Sequence, residues 1–298
     1  MFKTAHAVGI TVCSLLALFD CPTAQAEWVE WLIDSRVSGQ FDSNINHSLF
    51  AAQQRQDGIG KIALSAGRAY QLDDYSRAYI TAEWQGESHA DYWRLNQHSV
   101  GGKAVLAHKF GLGWQAPVLQ MDLAGGEIYS ESQLRSGGQI TAGLQLSSWC
   151  NDFLQGFIGY HFDDRNGPNA NNPLSNQPNS VFALQGHTVE IGNFIVVNDY
   201  WQVNVSYSHR FGDVVSNNLP SSLPASALSK VSEVARDDAF PGWVYRAQGN
   251  THRVNAGVSY ALFGGHVATA LNYSYIDTQA LGLGYQSHQI QLSVNTSY

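Results

Sequence analysis

Charge is scarce in this chain. Of 298 residues, Asp, Glu, Lys and Arg make up 13%, against roughly 25% in ordinary soluble domains. The formal net charge is −8, which argues against a nucleic-acid partner, since that needs a basic face. Cysteine is nearly absent. Cys13 and Cys21 lie near the amino terminus and Cys150 stands alone beyond them, so the mature chain has no intrachain disulfide. After the amino-terminal segment no stretch of about 18 apolar residues occurs, which leaves no candidate membrane helix. The eleven His are scattered. None stands at ligand spacing from a Cys or another His, so neither a metal nor a cofactor is expected.

What the chain has instead is glycine, tyrosine and tryptophan: 28 Gly, 14 Tyr and 8 Trp. The amino terminus reads as a secretory signal peptide. Lys3 precedes an apolar stretch from Ala7 to Phe19, and Ala24-Gln25-Ala26 supplies the small residues of a cleavage site. Residues 1–26 are therefore expected to be removed, and residues 27–298 to form one domain.

That domain reads as strands of period two. The carboxy-terminal segment places Ile290, Leu292, Val294 and Tyr298 on one face and Gln291, Ser293, Asn295 and Ser297 on the other. The same alternation recurs at Ile62, Leu64 and Ala66, at Ala78, Ile80, Ala82 and Trp84, and at Val267, Thr269, Leu271, Tyr273 and Tyr275. Twelve strands are expected. A phase slip between Leu184 and Ile191 suggests a bulge in the eighth. Connections after even-numbered strands are short, such as Gln71–Asp74 and Phe263–Gly264. Those after odd-numbered strands tend to be long, such as Asn46–Asp57 and Asp213–Thr251.

An apolar face opposite a neutral-polar one, ending on an aromatic residue, resembles the terminal strand by which Gram-negative outer-membrane β-barrels are recognised for assembly. Asp42-Ser43-Asn44-Ile45-Asn46 resembles a string near the first strand of many such barrels. The resemblance implies an all-β, transmembrane antiparallel up-and-down barrel of about twelve strands in the bacterial outer membrane. Its expected partners are outer-membrane lipid and the barrel-assembly machinery, the latter through the strand ending at Tyr298.

With the apolar faces outward, Leu144, Ile158, Val205, Val258 and Leu271 face lipid. Arg36, Lys61, Arg77, Glu83, Lys103, Asp122, Arg210 and Arg253 become candidates to line the lumen, which leans basic on this assignment. Small neutral groups between them favour a water-filled passage; the other reading is that the charges brace a closed wall. The longest connection carries helical spacing over 225–239, at Leu228, Val231 and Val234. A short helix there could enter the mouth and present Lys230, Glu233, Arg236, Asp237 and Asp238 as a constriction. The function expected is a narrow passive diffusion channel for small hydrophilic solutes. The alternatives are a non-conducting structural or partner-binding barrel and a lipid hydrolase. Outer-membrane phospholipase resembles a twelve-stranded barrel of similar length, but it uses His and Ser two apart on one strand face, and no His-X-Ser occurs here.

Overall fold

The computed structural model describes residues 27–175 and 177–297. The expected signal peptide and Tyr298 lie outside the described residues. The chain begins with seven strands: β1 (Glu27–Asp42), β2 (Asp57–Gln71), β3 (Ser76–His89), β4 (Gln97–Lys109), β5 (Val118–Ser130), β6 (Gly137–Asn151) and β7 (Leu154–Arg165). A small hairpin, β8 (Ala170–Asn171) and β9 (Pro178–Asn179), sits in the next connection. Then come β10 (Leu184–Val196) and β11 (Trp201–Asn218), a short helix α1 (Ala225–Leu228) and β12 (Glu233–Arg236). The last three are β13 (Trp243–Leu262), β14 (Val267–Ala280) and β15 (Leu283–Ser297).

Each long strand pairs antiparallel with its neighbours. β1 pairs with β15, and β11 with β13, which closes a twelve-stranded barrel. Closure pairs each long strand on both sides through the middle of the wall. The outer face is apolar: Ile80, Leu144, Ile158, Ile191, Leu271 and Leu292 are all exposed, Leu292 to 61%. A water-soluble chain would bury such residues, whereas hydrocarbon accepts them. The protein is a transmembrane β-barrel.

One end carries tight turns, and asparagine or aspartate organises several of them. Asp73 Oδ1 accepts the backbone N–H of Tyr75 and of Ser76, both at 2.7 Å. Asn151 Oδ1 does the same for Phe153 and Leu154, and Asn198 Oδ1 for Tyr200 and Trp201. A short side-chain acceptor bonding its own backbone two residues on is what fixes such a turn. The opposite end carries the long loops, with one exception: β14 and β15 are joined only by Leu281 and Gly282, both at positive φ (61° and 78°). This is the geometry of a tight hairpin turn. A bulky residue is strained there, and Leu281 is held by burial against Leu49, Leu223, Ala227 and Tyr245.

Two expectations are corrected. β10 keeps an unbroken register against both β7 and β11, so the bulge expected between Leu184 and Ile191 is absent. Ile191 faces out and Leu184 falls on the inward phase, which breaks the apolar pattern without breaking the strand. The register shifts occur between Trp28 and Glu30 and between Trp149 and Asn151. The helix expected over 225–239 is confined to Ala225–Leu228, and Glu233–Arg236 is strand. The reason is an open edge. β14 ends opposite Gly249, whereas β13 starts at Trp243, and β12 pairs with Trp243–Arg246 in the place β14 leaves vacant. Pairing satisfies backbone groups that a helix would leave exposed on β13.

Candidate functional site: the lumen and its crossed mouth

The lumen has two unlike walls. On β11, β13, β14 and β15 the inward positions are mostly neutral amides and hydroxyls. Ser274 Oγ donates to Asn255 Oδ1 at 2.7 Å, and Asn255 Nδ2 donates to Ser206 Oγ at 3.1 Å, linking three strands. Gln291 Nε2 donates to Ser38 Oγ across to β1. The other wall, from β2 to β10, holds most of the charge. Lys61 pairs with Glu87 at 3.5 Å. Glu87 Oε1 lies 2.8 Å from His89 Nε2, and Asp57 Oδ2 lies 3.0 Å from His89 Nδ1. A ring with a carboxylate at each nitrogen is held in place from both sides.

The candidate lumen residues do not form one cluster. Arg36 lines three inner cavities of about 370, 240 and 320 Å³, and its Nε donates to Asn295 Oδ1 at 2.5 Å. Glu83 and Asp34 share the first of these with it, and Lys61 the second. Arg77 is at the turn end, 3.5 Å from Glu30. Asp122 lies over Gly143 beside His161, where a Cβ on the glycine would collide with the carboxylate. Arg210 crosses Gly186 in the same way to reach Asp163, with Nε and Nη2 at 3.2 and 2.8 Å from its two oxygens. Glycine on the intervening strand is what lets β11 and β7 be bridged over β10. Arg253 stands in the field of Glu190 and Asp42. Lys103 is opposite Thr81 and Ala124 on the neighbouring strands. The acids Asp34, Asp57, Glu87 and Glu190 were not weighed in the sequence assignment. They stand among the bases, and the expected basic lean disappears.

At the loop end two segments cross the mouth. The first is 43–56, which sequence reasoning passed over as a connection. Asp42 receives the Asn44 N–H, the Ser287 hydroxyl and the Gln289 amide at 2.8, 2.6 and 2.6 Å. Asn44 in turn bonds the backbone of Ser48 and of Gln286. The segment then reaches β11: Asn218 Oδ1 accepts both the Ser48 hydroxyl and the Leu49 N–H at 3.0 Å, and the Asn217 N–H meets the Asn46 carbonyl. It therefore spans the positions of β15, β14 and β13, four strand spacings or roughly 19 Å of wall. His47, at φ 51°, stacks on Tyr285 with ring centroids 5.4 Å apart. Burial pulls its pKa below the usual imidazole value, and Arg135 and Arg253 add to the effect; Asp42 and a hydrogen bond with the Val215 carbonyl oppose it. The available signal was the run of Asp, Ser and Asn after β1, residues that bond backbone.

The second crossing is 219–242. Its tip reaches the far rim, where Asp237 meets Arg135 and Asp238 accepts the Ser132 hydroxyl at 2.5 Å and lies 3.6 Å from Arg94. Phe240 packs on Tyr92 at 4.8 Å. Of the other constriction candidates, Glu233 pairs with Arg246 at 3.3 Å, Arg236 is exposed, and Lys230 sits over the turn at Gly282 on the outer rim. The proposed constriction residues thus separate into a clasp, a strand pair and an outward cation.

The structure also brings together one pair that the search for His-X-Ser could not find. Ser76 Oγ and His108 Nδ1 lie 2.9 Å apart on adjacent strands. Both fall on the outward phase, near the turns. A hydrolase would need a carboxylate or amide orienting the ring's other nitrogen. Asp73, the adjacent acid, turns its Oδ1 to backbone N–H groups instead. Among the described residues no cluster of three metal-ligating side chains occurs.

No family model matches the sequence, and no curated protein matches it. Solved structures do resemble the fold. An outer-membrane channel of the COG4313 type from Pseudomonas putida F1 aligns at TM-score 0.57 with 8% identity, over 93% of this chain and 99% of that one. The NanC porin aligns at 0.48 with 11% identity, over 88% and 98%. The β domain of the Bordetella autotransporter BrkA aligns at 0.47 with 10% identity, over 90% and 99%. At these identities the likeness concerns fold, and only the first alignment is close enough to carry weight: this chain has the architecture of an outer-membrane channel barrel.

Proposed function

We propose that the protein is a passive diffusion channel for small hydrophilic solutes, narrowed at the loop end by the two crossing segments. The observation that carries this reading is Arg36, a cation that lines three cavities inside the barrel, each of about 240–370 Å³. Twelve strands lie between the eight-stranded type, filled by side chains, and sixteen-stranded open porins. At that diameter a few side chains and an inserted loop decide what passes. The long loops face the outside and the turns the periplasm, with the carboxy-terminal strand engaging the assembly machinery. The neutral amide wall suits solutes rich in hydroxyl groups, since an amide donates and accepts at once.

A second reading is a non-conducting structural barrel, and the clasp of Asp237 and Asp238 across the mouth favours it. Single-channel recording in a planar bilayer separates the two. Steady conductance is expected, with a reversal potential under a salt gradient that moves toward cation preference in Arg36→Glu with Arg253→Glu. A correctly folded barrel that never conducts supports the structural reading. Lipid hydrolysis that is lost in Ser76→Ala would return the enzyme reading, against which the orientation of Asp73 argues.

A further inference from the structure

Outside the lumen, at the loop end, the barrel wall carries a concavity of about 1330 Å³ that the channel reading does not use. It runs across the outer face of β10, β11, β13, β14 and β15 and is overhung by 49–54 and 230–232. One row of paired residues forms its floor. Gln279 is opposite Asn250, Asn250 opposite Phe211, and Phe211 opposite His187. Gln185, Gln248 and Gln286 add three more amides, and Lys230 supplies a cation at the rim. Asp277 contributes a carboxylate.

The level of this groove is fixed by what lies beneath it. Three Tyr hydroxyls on the outward phase meet His Nδ1 atoms: Tyr160 with His187 at 2.7 Å, Tyr207 with His252 at 2.7 Å and Tyr273 with His288 at 2.8 Å. Rings with one polar tip, standing between an apolar band and water, mark a membrane interface. Val254, Leu271 and Ile290 are exposed further down toward the turns. The groove therefore opens where the hydrocarbon ends, at headgroup depth.

We infer that this groove binds the phosphorylated saccharide headgroup of a glycolipid in the leaflet at the loop end. Amide side chains both donate and accept, matching sugar hydroxyls, and Phe211 stacked on His187 (5.2 Å) offers a flat surface for a sugar ring. Lys230 meets a phosphate. The volume exceeds the roughly 300–1,000 Å³ of ordinary small-molecule pockets, so it suits several sugars better than one glycerophosphate. Acyl chains from a headgroup seated here would run down the apolar face at Val254 and Leu271, which commits the occupant to a lipid and not a free saccharide.

The test is native mass spectrometry of the full barrel released from detergent, with lipopolysaccharide lacking its O-antigen as probe and phosphatidylglycerol as comparison. Retention of the glycolipid should exceed that of the phospholipid by at least about tenfold. Asn250→Leu with Gln279→Leu, and separately Lys230→Glu, should remove most of that excess. Tyr129→Leu, at a similar depth on β5 away from the groove, should leave it intact. Heat-modifiable gel migration identifies variants that still fold. Equal retention of both lipids, no effect of the groove variants, or equal binding of the deacylated saccharide would each overturn the proposal. None of these readouts depends on conductance.

Discussion

Asp237 and Arg135 face each other across the barrel mouth with two parallel hydrogen bonds, Nη1 to Oδ1 and Nη2 to Oδ2, each 2.9 Å. One belongs to the loop after β11, the other to the loop after β5, which stand four strand positions apart around the wall. The Asp237 carboxylate is fully buried, and the Asn217 amide and Ala239 N–H also bond it. Arg135 further lies over the Phe182 ring at 4.6 Å. Such a fork is geometrically selective. The loop between β11 and β13 is thereby a strap and not a free external segment.

Releasing the strap should be costly and visible. Removing one partner of a buried pair typically costs about 3–5 kcal/mol because the other charge is left uncompensated. Asp237→Ala is expected to free the tip of 219–242 while the barrel stays closed, since no wall pairing depends on it. Single-channel recording should show higher conductance and more frequent gating than wild type, and deletion of 222–239 a larger increase. Unchanged traces in both would place the strap outside the conducting path.

The inner crossing depends on Asn44. Its side chain makes three hydrogen bonds, to Ser48 N–H, to the Ser48 carbonyl and to the Gln286 carbonyl. Asn44→Leu keeps the volume near the original and removes all three, leaving buried backbone groups unpaired at about 1–3 kcal/mol each. Hydrogen exchange should then speed up at Ser48 and Leu49 while the strands remain protected. Asn218→Leu, which acts on the other end of the same crossing, should give the same pattern.

His47 makes the mouth sensitive to acid. Its folded-state pKa lies below the reference of 6.5, chiefly through burial. The unfolded segment therefore binds more protons than the folded one below that reference. The neutral ring's contribution is complete above about pH 6.5 and is lost as pH falls toward the lowered folded value. Loosening of the stack on Tyr285 should appear as faster exchange of 43–56 at pH 5 than at pH 7.5, after correction for intrinsic rates. His47→Phe keeps the stack and should abolish that difference; a persisting difference would assign it to another group.

The wall's phase is testable by one neighbouring pair. Leu271 is exposed on the outer face, whereas Asn272 lies inside, its amide over Gly257. An Arg near the bilayer midplane costs roughly 2–4 kcal/mol on the lipid side. Leu271→Arg should therefore reduce the heat-modifiable folded fraction well below that of Asn272→Arg, which should change selectivity instead. Equal tolerance would reverse the phase.

Much of the barrel was legible in the sequence because its information is local. Period two at Ile62 and Leu64, or at Ile290 and Leu292, needs only neighbours two apart to declare a lipid face. The turns at Asp73, Asn151 and Asn198 are likewise fixed by side chains bonding backbone two or three residues away. Twelve strands, the closed antiparallel sheet and the outward set from Leu144 to Leu271 follow from those signals. The limits of β11 and β13 do not, since both run past the membrane band into residues with no apolar alternation.

The mouth belongs to tertiary structure. Nothing near Val234 in sequence says that β14 ends opposite Gly249 and leaves β13 an open edge, yet that edge is what turns 233–236 into strand. Nothing near Asp237 or Asp238 names Arg135 or Arg94, which are more than a hundred residues away. Ser48 and Asn218 meet only because closure brings the start and the later part of the chain together, and Ser76 and His108 only because register sets them opposite each other. Local patterning determined which residues face lipid and where the chain turns. Which charges meet inside, and what crosses the opening, was decided by the closed wall, because those pairings depend on positions around the ring and not along the chain.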